Sequence, residues 1–170
     1  VFPQIRLISP FTPGGRNEEA HAGGRTVQEV ETIGVRSEFF AISNRVLRLG
    51  GLFYEYHLER RSPVCILGAD LAQELFPSVP PLGNVVQVTG GQHAPYTCIV
   101  RGVLQPITFT EEGRDPNRQL FLPHTFLDEK SLFPVYSRFV MQVRPGTDIE
   151  SLGKAIRAFF QQKYGDSAVF

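Results

Sequence analysis

Apolar and polar positions along this chain change period several times, and each change marks an element. VFPQIRLI opens as a short strand-like run, after which Pro10–Arg25 has no period and carries two glycine pairs, Gly14–Gly15 and Gly23–Gly24. That composition predicts a flexible loop. From Arg25 to Val35, Val27, Val30, Ile33 and Val35 alternate with polar residues, which predicts an edge strand. Ser37 is placed to cap a short helix, Glu38–Ile42, whose Phe39 and Phe40 enter a core. Arg45–Leu49 alternates again, Val46 facing opposite to Leu47 and Leu49, and Gly50–Gly51 closes it.

Val64–Leu67 is unbroken by any polar residue, so it predicts a strand buried on both faces. It stops at Gly68, and Leu71, Ala72, Leu75 and Phe76 then recur at helical spacing until Pro77. Pro80–Gly83 is a turn, and Asn84–Thr89 and Tyr96–Leu104 are a strand pair joined around Gly90–Gly91. Gln105–Arg118 reads as a second long loop. Gln119–Leu122 is a strand broken by Pro123, with a turn or helix through Asp128, and Arg138–Val143 is a strand. Thr147 and Glu150 are spaced as a capping box for a helix with the stripe Leu152, Ile156, Phe159, Phe160, Tyr164, ended by Gly165. That stripe needs a sheet face to cover, and Phe139, Met141 and Val143 offer one. The element order predicts an α+β layered fold.

With 170 residues the chain suits one domain or two small lobes sharing a core, burying roughly 70% of its unfolded surface. Seventeen basic residues balance seventeen acidic ones. A neutral chain without a basic stripe argues against nucleic acid and against a polybasic lipid anchor. No span approaches the ~20 apolar residues of a membrane helix. There is no signal peptide and no initiator methionine before Val1, so the chain reads as an excised segment.

Candidate chemistry is sparse. Cys65 and Cys98 each sit inside an apolar run, where cysteine behaves as a small hydrophobe. Free core thiols in neighbouring strands are favoured over a disulfide, and an active-site thiol ranks below both. His21, His57, His93 and His124 have no metal-ligand spacing and read as solvated loop residues. The acidic pairs Glu18–Glu19, Glu111–Glu112 and Asp128–Glu129 are adjacent in sequence, so they diverge and read as surface charge. Arg60–Arg61 likewise reads as surface charge. The glycine pairs lack the strand, helix and spacing of a phosphate loop, and no serine sits in a G-x-S-x-G elbow. Two phenylalanines fall outside the apolar stripes, Phe11 and Phe109, the latter in the polar loop ITFTEEGRDP. Phe109 and Arg114 are therefore the candidate partner-contact residues. No catalytic, cofactor-binding or metal-binding residue is expected.

Six blocks in order carry a resemblance. They are GVRSEFF (Gly34–Phe40) leading to RVLRLGGLF, VCILGADLAQELF (Val64–Phe76), PLGNVVQV (Pro81–Val88), IVRGVL (Ile99–Leu104), LFLP (Leu120–Pro123) and the PGTDIESLGKAIRAFF helix. Over about residues 30–165 the chain resembles the extracytoplasmic core domain of MacB-type ABC-transporter permeases, a group that includes MacB, LolC, LolE and FtsX-like proteins. Three features depart from that pattern: Arg101 within IVRGVL, the family's helix expected before Val1, and the glycine-rich Pro10–Arg25 stretch. The matching structural positions are Gly34, Phe39, Phe40, Gly50, Leu67, Gly68, Leu75, Phe76, Pro81, Gly83, Gly102 and Pro123.

The resemblance implies a two-lobed α+β domain outside the cytoplasmic membrane. A discontinuous α/β lobe would comprise about residues 1–33 plus 119–170, and a mostly β lobe residues 34–118. It also implies a parent chain embedded in the cell inner membrane and a homo- or heterodimer of permease subunits. A cytoplasmic ATPase would act through the membrane helices, and a periplasmic adaptor or envelope protein would be a further partner. The domain would pass movement on to cargo or partners, without catalysis, and its two ends would lie close together. The competing readings are a small-molecule-binding or sensor module of the cell envelope, and an enzyme using Cys65 or Cys98 with a histidine.

Overall fold

The computed structural model describes residues 2–91, 93–108, 115–131 and 138–165. The strands are β1 (Ile5–Pro13), β2 (Glu18–Ala22), β3 (Arg25–Val35), β4 (Leu47–Gly50), β5 (Val64–Leu67), β6 (Val85–Thr89), β7 (Tyr96–Leu104), β8 (Gln119–Pro123) and β9 (Arg138–Val143). The helices are α1 (Glu38–Ile42), α2 (Glu55–Glu59), α3 (Ala69–Leu75), α4 (His124–Lys130) and α5 (Ile149–Tyr164), with a 3-10 turn at Pro116–Arg118. This is an α+β fold rich in sheet.

The chain divides into two compact units, Ile8–Val140 and Val1–Leu7 with Met141–Phe170. These limits differ from the lobe limits read from the sequence, 1–33 plus 119–170 against 34–118. The reason is strand pairing: β3 and β8 run parallel side by side within the larger unit, and β8 also pairs antiparallel with β5. Residues assigned by sequence to different lobes are thereby joined in one sheet.

Within the larger unit the pairings form a ring. β2 pairs with β3, β3 with β8, β8 with β5, β5 with β7, β7 with β6, and β6 with β2 again. A closed ring removes the unpaired edges an open sheet would leave. The alternation of side chains explains how it is filled. Cys65 and Leu67 of β5, and Leu120 and Leu122 of β8, point into a core shared with Leu71, Ala72 and Leu75 of α3 and Phe126 and Leu127 of α4. Ile66 and Phe121, one residue out of phase, belong to a second core with Ile33, Val35, Phe40, Phe53, Leu58 and Leu104. The uninterrupted apolar run of β5 is thus buried on both faces, as its pattern predicts.

Several local expectations are corrected. Pro10–Arg25 is mostly strand: β1 runs to Pro13, and β2 and β3 form a hairpin whose turn, Gly23–Gly24, has φ of 56° and 77°. Left-handed conformation at two successive positions suits a glycine pair and closes a tight hairpin. β3 is not an edge strand, because it pairs with β1, β2 and β8. Its register with β2 shifts near Glu29, which has φ 58°, so Val27 and Val30 both face the core despite a spacing of three.

Ser37 precedes α1 but does not cap it, since its hydroxyl donates to the Phe53 carbonyl at 2.6 Å. Cys65 and Cys98 are joined as a disulfide, their Cα atoms 5.8 Å apart, and are not free thiols. Parallel pairing of β5 with β7 places Cys65 opposite Val100, and Cys98, two residues earlier on the same face, comes within bonding reach.

In the smaller unit, α5 is capped one residue later than its sequence motif predicts. Asp148 accepts from the backbone N–H groups of Glu150 and Ser151 at 3.0 and 3.2 Å, while the Thr147 hydroxyl donates to the Arg144 carbonyl. A carboxylate outcompetes a hydroxyl here because a charged acceptor binds orphan amides more strongly and suits the helix dipole. Of the predicted stripe, Leu152 is buried, and the Phe159 ring meets Phe2 edge to face at 5.7 Å between centroids. The backbone N–H of Arg144 donates to the Gln4 carbonyl at 2.8 Å. The first residues of the chain and its last helix therefore pack together.

Candidate partner-contact face

The motif positions build the scaffold of the larger unit. Gly68 ends β5 where the chain passes the 3-10 turn, and a Cβ there would fall on the Asn117 carbonyl. Gly50 has φ 78° and leaves no room for a side chain against the Arg101 carbonyl and Gly102, where β4 pairs with β7. Gly102 lies opposite Gly50 on β7, and Gly34 sits on β3 under the start of α4. Gly83 donates its N–H to the Val100 carbonyl at 2.8 Å and ends the turn that Pro81 begins. Pro123 ends β8 and leads into α4. Leu67, Leu75 and Phe76 lie in the first core. Phe39 and Phe40 meet Phe121 at 5.6 and 5.3 Å in the second. Phe109 and Arg114 lie outside the described residues.

A surface that sequence reasoning missed stands over β4 and α2. Tyr54 and Tyr56 are 57% and 48% exposed, large values for aromatic rings. Val46, Leu49 and Leu82 are exposed too, and a Cβ on Gly50 would approach the Leu82 side chain to 2.9 Å, which places Leu82 beside β4. Arg101 links the Tyr54 ring to the backbone just before it. Its guanidinium lies 4.4 Å from the Tyr54 ring centroid, and its Nε donates to the Leu52 carbonyl at 2.7 Å. Tyrosine and arginine beside exposed aliphatics have the composition of a protein-contact surface. The available signal was Y-x-Y two residues after a glycine pair, with no apolar period to bury either ring.

His57 anchors the face from beneath. It is buried, not solvated, because its ring packs 4.0 Å from Tyr56 and stacks at 5.6 Å on Tyr54. Its Nδ1 accepts the Tyr54 backbone N–H at 2.8 Å, which requires that nitrogen to be unprotonated. Burial first, and the Arg101 charge second, hold its pKa below the ordinary value. The stabilisation from neutral His57 is therefore complete above the unfolded value of about 6.5 and is lost as pH falls toward the folded one. An NMR titration is expected to place the His57 midpoint below that of an unfolded histidine, with α2 amides loosening in acid. A midpoint at or above the unfolded value would contradict this.

A second polar group is buried in the larger unit. Glu18 is fully buried, and its carboxylate accepts from the Thr32 hydroxyl. Its Oε1 lies 3.5 Å from Nδ1 of His93, also buried, and Tyr96 lies in the same cluster. Burial first, then the Glu18 charge, pushes the Tyr96 phenol up, so it remains a neutral hydroxyl. The expectation of surface charge at Glu18 and of a solvated His93 is thus corrected. Glycines at 15 and 91 cover the carboxylate so closely that any Cβ there would strike it. Nearby, a cavity of about 270 Å3 is bordered by Phe11, Arg16, Glu31, Thr32, Arg138 and Phe139 among others. Among the described residues, no three His, Cys, Asp or Glu side chains are grouped to hold a metal ion.

Residues 1–159 match the family model of the MacB-like periplasmic core domain. The chain belongs to that family. Two solved structures share the fold of this MacB-like domain. The periplasmic region of MacB from Actinobacillus actinomycetemcomitans superposes with a TM-score of 0.75 at 16% identity, covering 96% of this chain and 70% of that one. The extracellular domain of the noncanonic ABC-type transporter YknZ from Gram-positive bacteria gives 0.72 at 18% identity, covering 96% and 78%. No curated protein sequence matches the chain. Among the described residues no helix is long and apolar enough to cross a membrane. The MacB-like domain is the part of an ABC-transporter permease that lies on the periplasmic or extracellular side.

Proposed function

We propose that this domain transmits ATP-driven movement of membrane helices to cargo or partner proteins outside the membrane. The permease subunit carrying it is embedded in the inner membrane, works as a homo- or heterodimer, and draws its energy from a cytoplasmic ATPase. The observation that carries this reading is the packing of residues 2–4 with residues 144–159 in one unit, Phe2 against Phe159 and Gln4 against Arg144. A domain held between two membrane helices needs both connections at one place, so that a displacement of the helices acts on both ends together. The larger unit supports the reading through its closed ring of strands and its disulfide, which resist deformation. The Tyr54–Arg101 face is where an adaptor or other envelope protein would be gripped.

The test is a distance measurement between spin labels at exposed positions, Gln87 and its counterpart across the dimer, in the full-length transporter in nanodiscs. Trapping the ATP-bound state is expected to shift the distance distribution relative to the nucleotide-free state. Identical distributions in both states would overturn transmission.

A further inference from the structure

We propose that a trough along β1 binds an extended, acidic segment of polypeptide through Arg16 and Arg138. The cavity of about 270 Å3 beside Phe11 and Phe139 is the middle one of three. A second, of about 560 Å3, lies toward Ile8 and Pro10 and shares the Phe139 wall. A third, of about 570 Å3, lies toward Asn17 and Gly91 and shares the run from Pro13 to Arg16. All three lie within the larger unit, and their linings follow the chain in order from Ile8 to Asn17. A strand advances about 3.3 Å per residue, so the stretch from Ile8 to Pro13 alone spans roughly 17 Å, the length of an extended segment of five or six residues.

The floor is built in advance of any ligand. Gly14 donates its N–H to the Thr32 carbonyl at 2.8 Å. Gly15 donates to the Thr32 hydroxyl at 3.2 Å, and its carbonyl accepts the Thr32 N–H at 3.1 Å. The two glycines are thereby fastened to β3, and neither carries a side chain to fill the space above it. Ile8 and Phe139 are exposed, so the trough also presents apolar surface to solvent. A preformed site of this kind loses little conformational entropy when it is filled.

Charge decides what fits. The carboxylates of the lining are already engaged: Glu31 accepts from the Gln119 side-chain amide at 2.7 Å, and Glu38 lies 3.6 Å from the Arg36 guanidinium. Asp128 accepts from the Thr12 hydroxyl at 2.9 Å, with Nδ1 of His124 at 3.3 Å. Arg36 is occupied in turn by Glu38 and by Glu55 at 2.8 Å. The Arg16 and Arg138 guanidiniums are exposed, and neither has an ion pair or hydrogen bond among the described residues. Both border the middle cavity, between the apolar surfaces of Phe11 and Phe139. Two free guanidiniums pair with carboxylates, and the apolar walls take the side chains between them. Two cations are too few for a nucleic acid, whose affinity comes from neutralising many phosphates. The site goes beyond force transmission: a domain can hold such a segment without moving, and the spin-label distances do not depend on it.

Amide NMR of the isotope-labelled chain tests this by titration with a capped octapeptide of alternating glutamate and leucine, and with its lysine–leucine counterpart. The glutamate peptide is expected to shift amides of residues 8–17 and 138–140, and the lysine peptide to bind at least about threefold more weakly. Arg16→Ala and Arg138→Ala are each expected to weaken the glutamate peptide about three- to fivefold, with amides away from the trough unmoved. Arg16→Glu combined with Arg138→Glu is expected to turn the preference toward the lysine peptide. Both arginines are exposed, so these variants fold, and the unmoved amides report it. Equal binding of the two peptides, shifts confined to residues outside the trough, or variants that bind as the wild type does would overturn the proposal. Trough amides that shift with protein concentration alone would put a second copy of the chain there and overturn it too.

Discussion

Replacing both Cys65 and Cys98 by alanine is expected to lower the unfolding free energy by about 3–4 kcal/mol. The bridge closes a loop with a sequence separation of 33, and the chain-entropy relation assigns a loop of that size this magnitude through restriction of the unfolded chain. The bridge also ties β5 to β7, two strands at the centre of the ring, and both residues lie in the first core with at most 1% exposure. Urea unfolding of the wild type in the presence and absence of reductant separates the cross-link from the small cavities that alanine leaves. The reduced wild type should lose most of the same stability. Under native conditions iodoacetamide should add nothing, and after unfolding with reduction it should add twice. Two alkylatable thiols in the non-reduced, unfolded protein, or coincident urea midpoints, would refute the bridge. A structural disulfide also suits an oxidising compartment, which is where the family places this domain.

What the sequence made legible follows from how locally each feature is determined. The buried strand Val64–Leu67, the helix ended before Pro77, the β6–β7 pair and the strand ending at Pro123 are set by apolar runs and breakers. All are found where expected. The ordered blocks around Gly34, Gly68, Pro81 and Gly102 were enough to point to the family, because close backbone approaches such as that at Gly68 tolerate only glycine.

What escaped depends on partners distant in sequence. Glu18 looks like surface charge until β3 and the β6–β7 connection bring Thr32 and His93 to it. The glycine-rich segment reads as a loop because β2 is only five residues long and its alternation, Glu18, Ala20 and Ala22 buried, uses small or charged side chains. The disulfide was invisible because strand adjacency predicts that two cysteines are near, whereas bonding requires a particular register, here the one that sets Cys65 opposite Val100. The Tyr54–Arg101 face was missed for the opposite reason: its signal is two rings left without a burial pattern.

Phe121→Ala is expected to be the most damaging single truncation in the second core, at about 3–5 kcal/mol. Phe121 is fully buried on β8 between β3 and β5, both of which pair with that strand. Its ring meets Phe39 and Phe40, and the Arg45 guanidinium sits 5.4 Å from its centroid. Arg45 is itself held by an N–H donated to the Pro116 carbonyl at 2.6 Å, and burial holds its pKa below the ordinary arginine value. Removing the ring therefore opens a cavity and withdraws the π face from a partly desolvated cation. Phe40→Ala should be nearly as costly, since Phe40 also packs on Phe53 and is 1% exposed. The two rings touch, so the double variant should lose less than the sum of the singles by about 0.5–1.5 kcal/mol. Urea unfolding of the four proteins measures this coupling directly. Strict additivity would mean that the rings act as separate fillers. A shortfall would show that α1, carrying Phe40, and β8, carrying Phe121, are fastened by one contact, so that the GVRSEFF and LFLP blocks act as a single structural unit though seventy-nine residues lie between them.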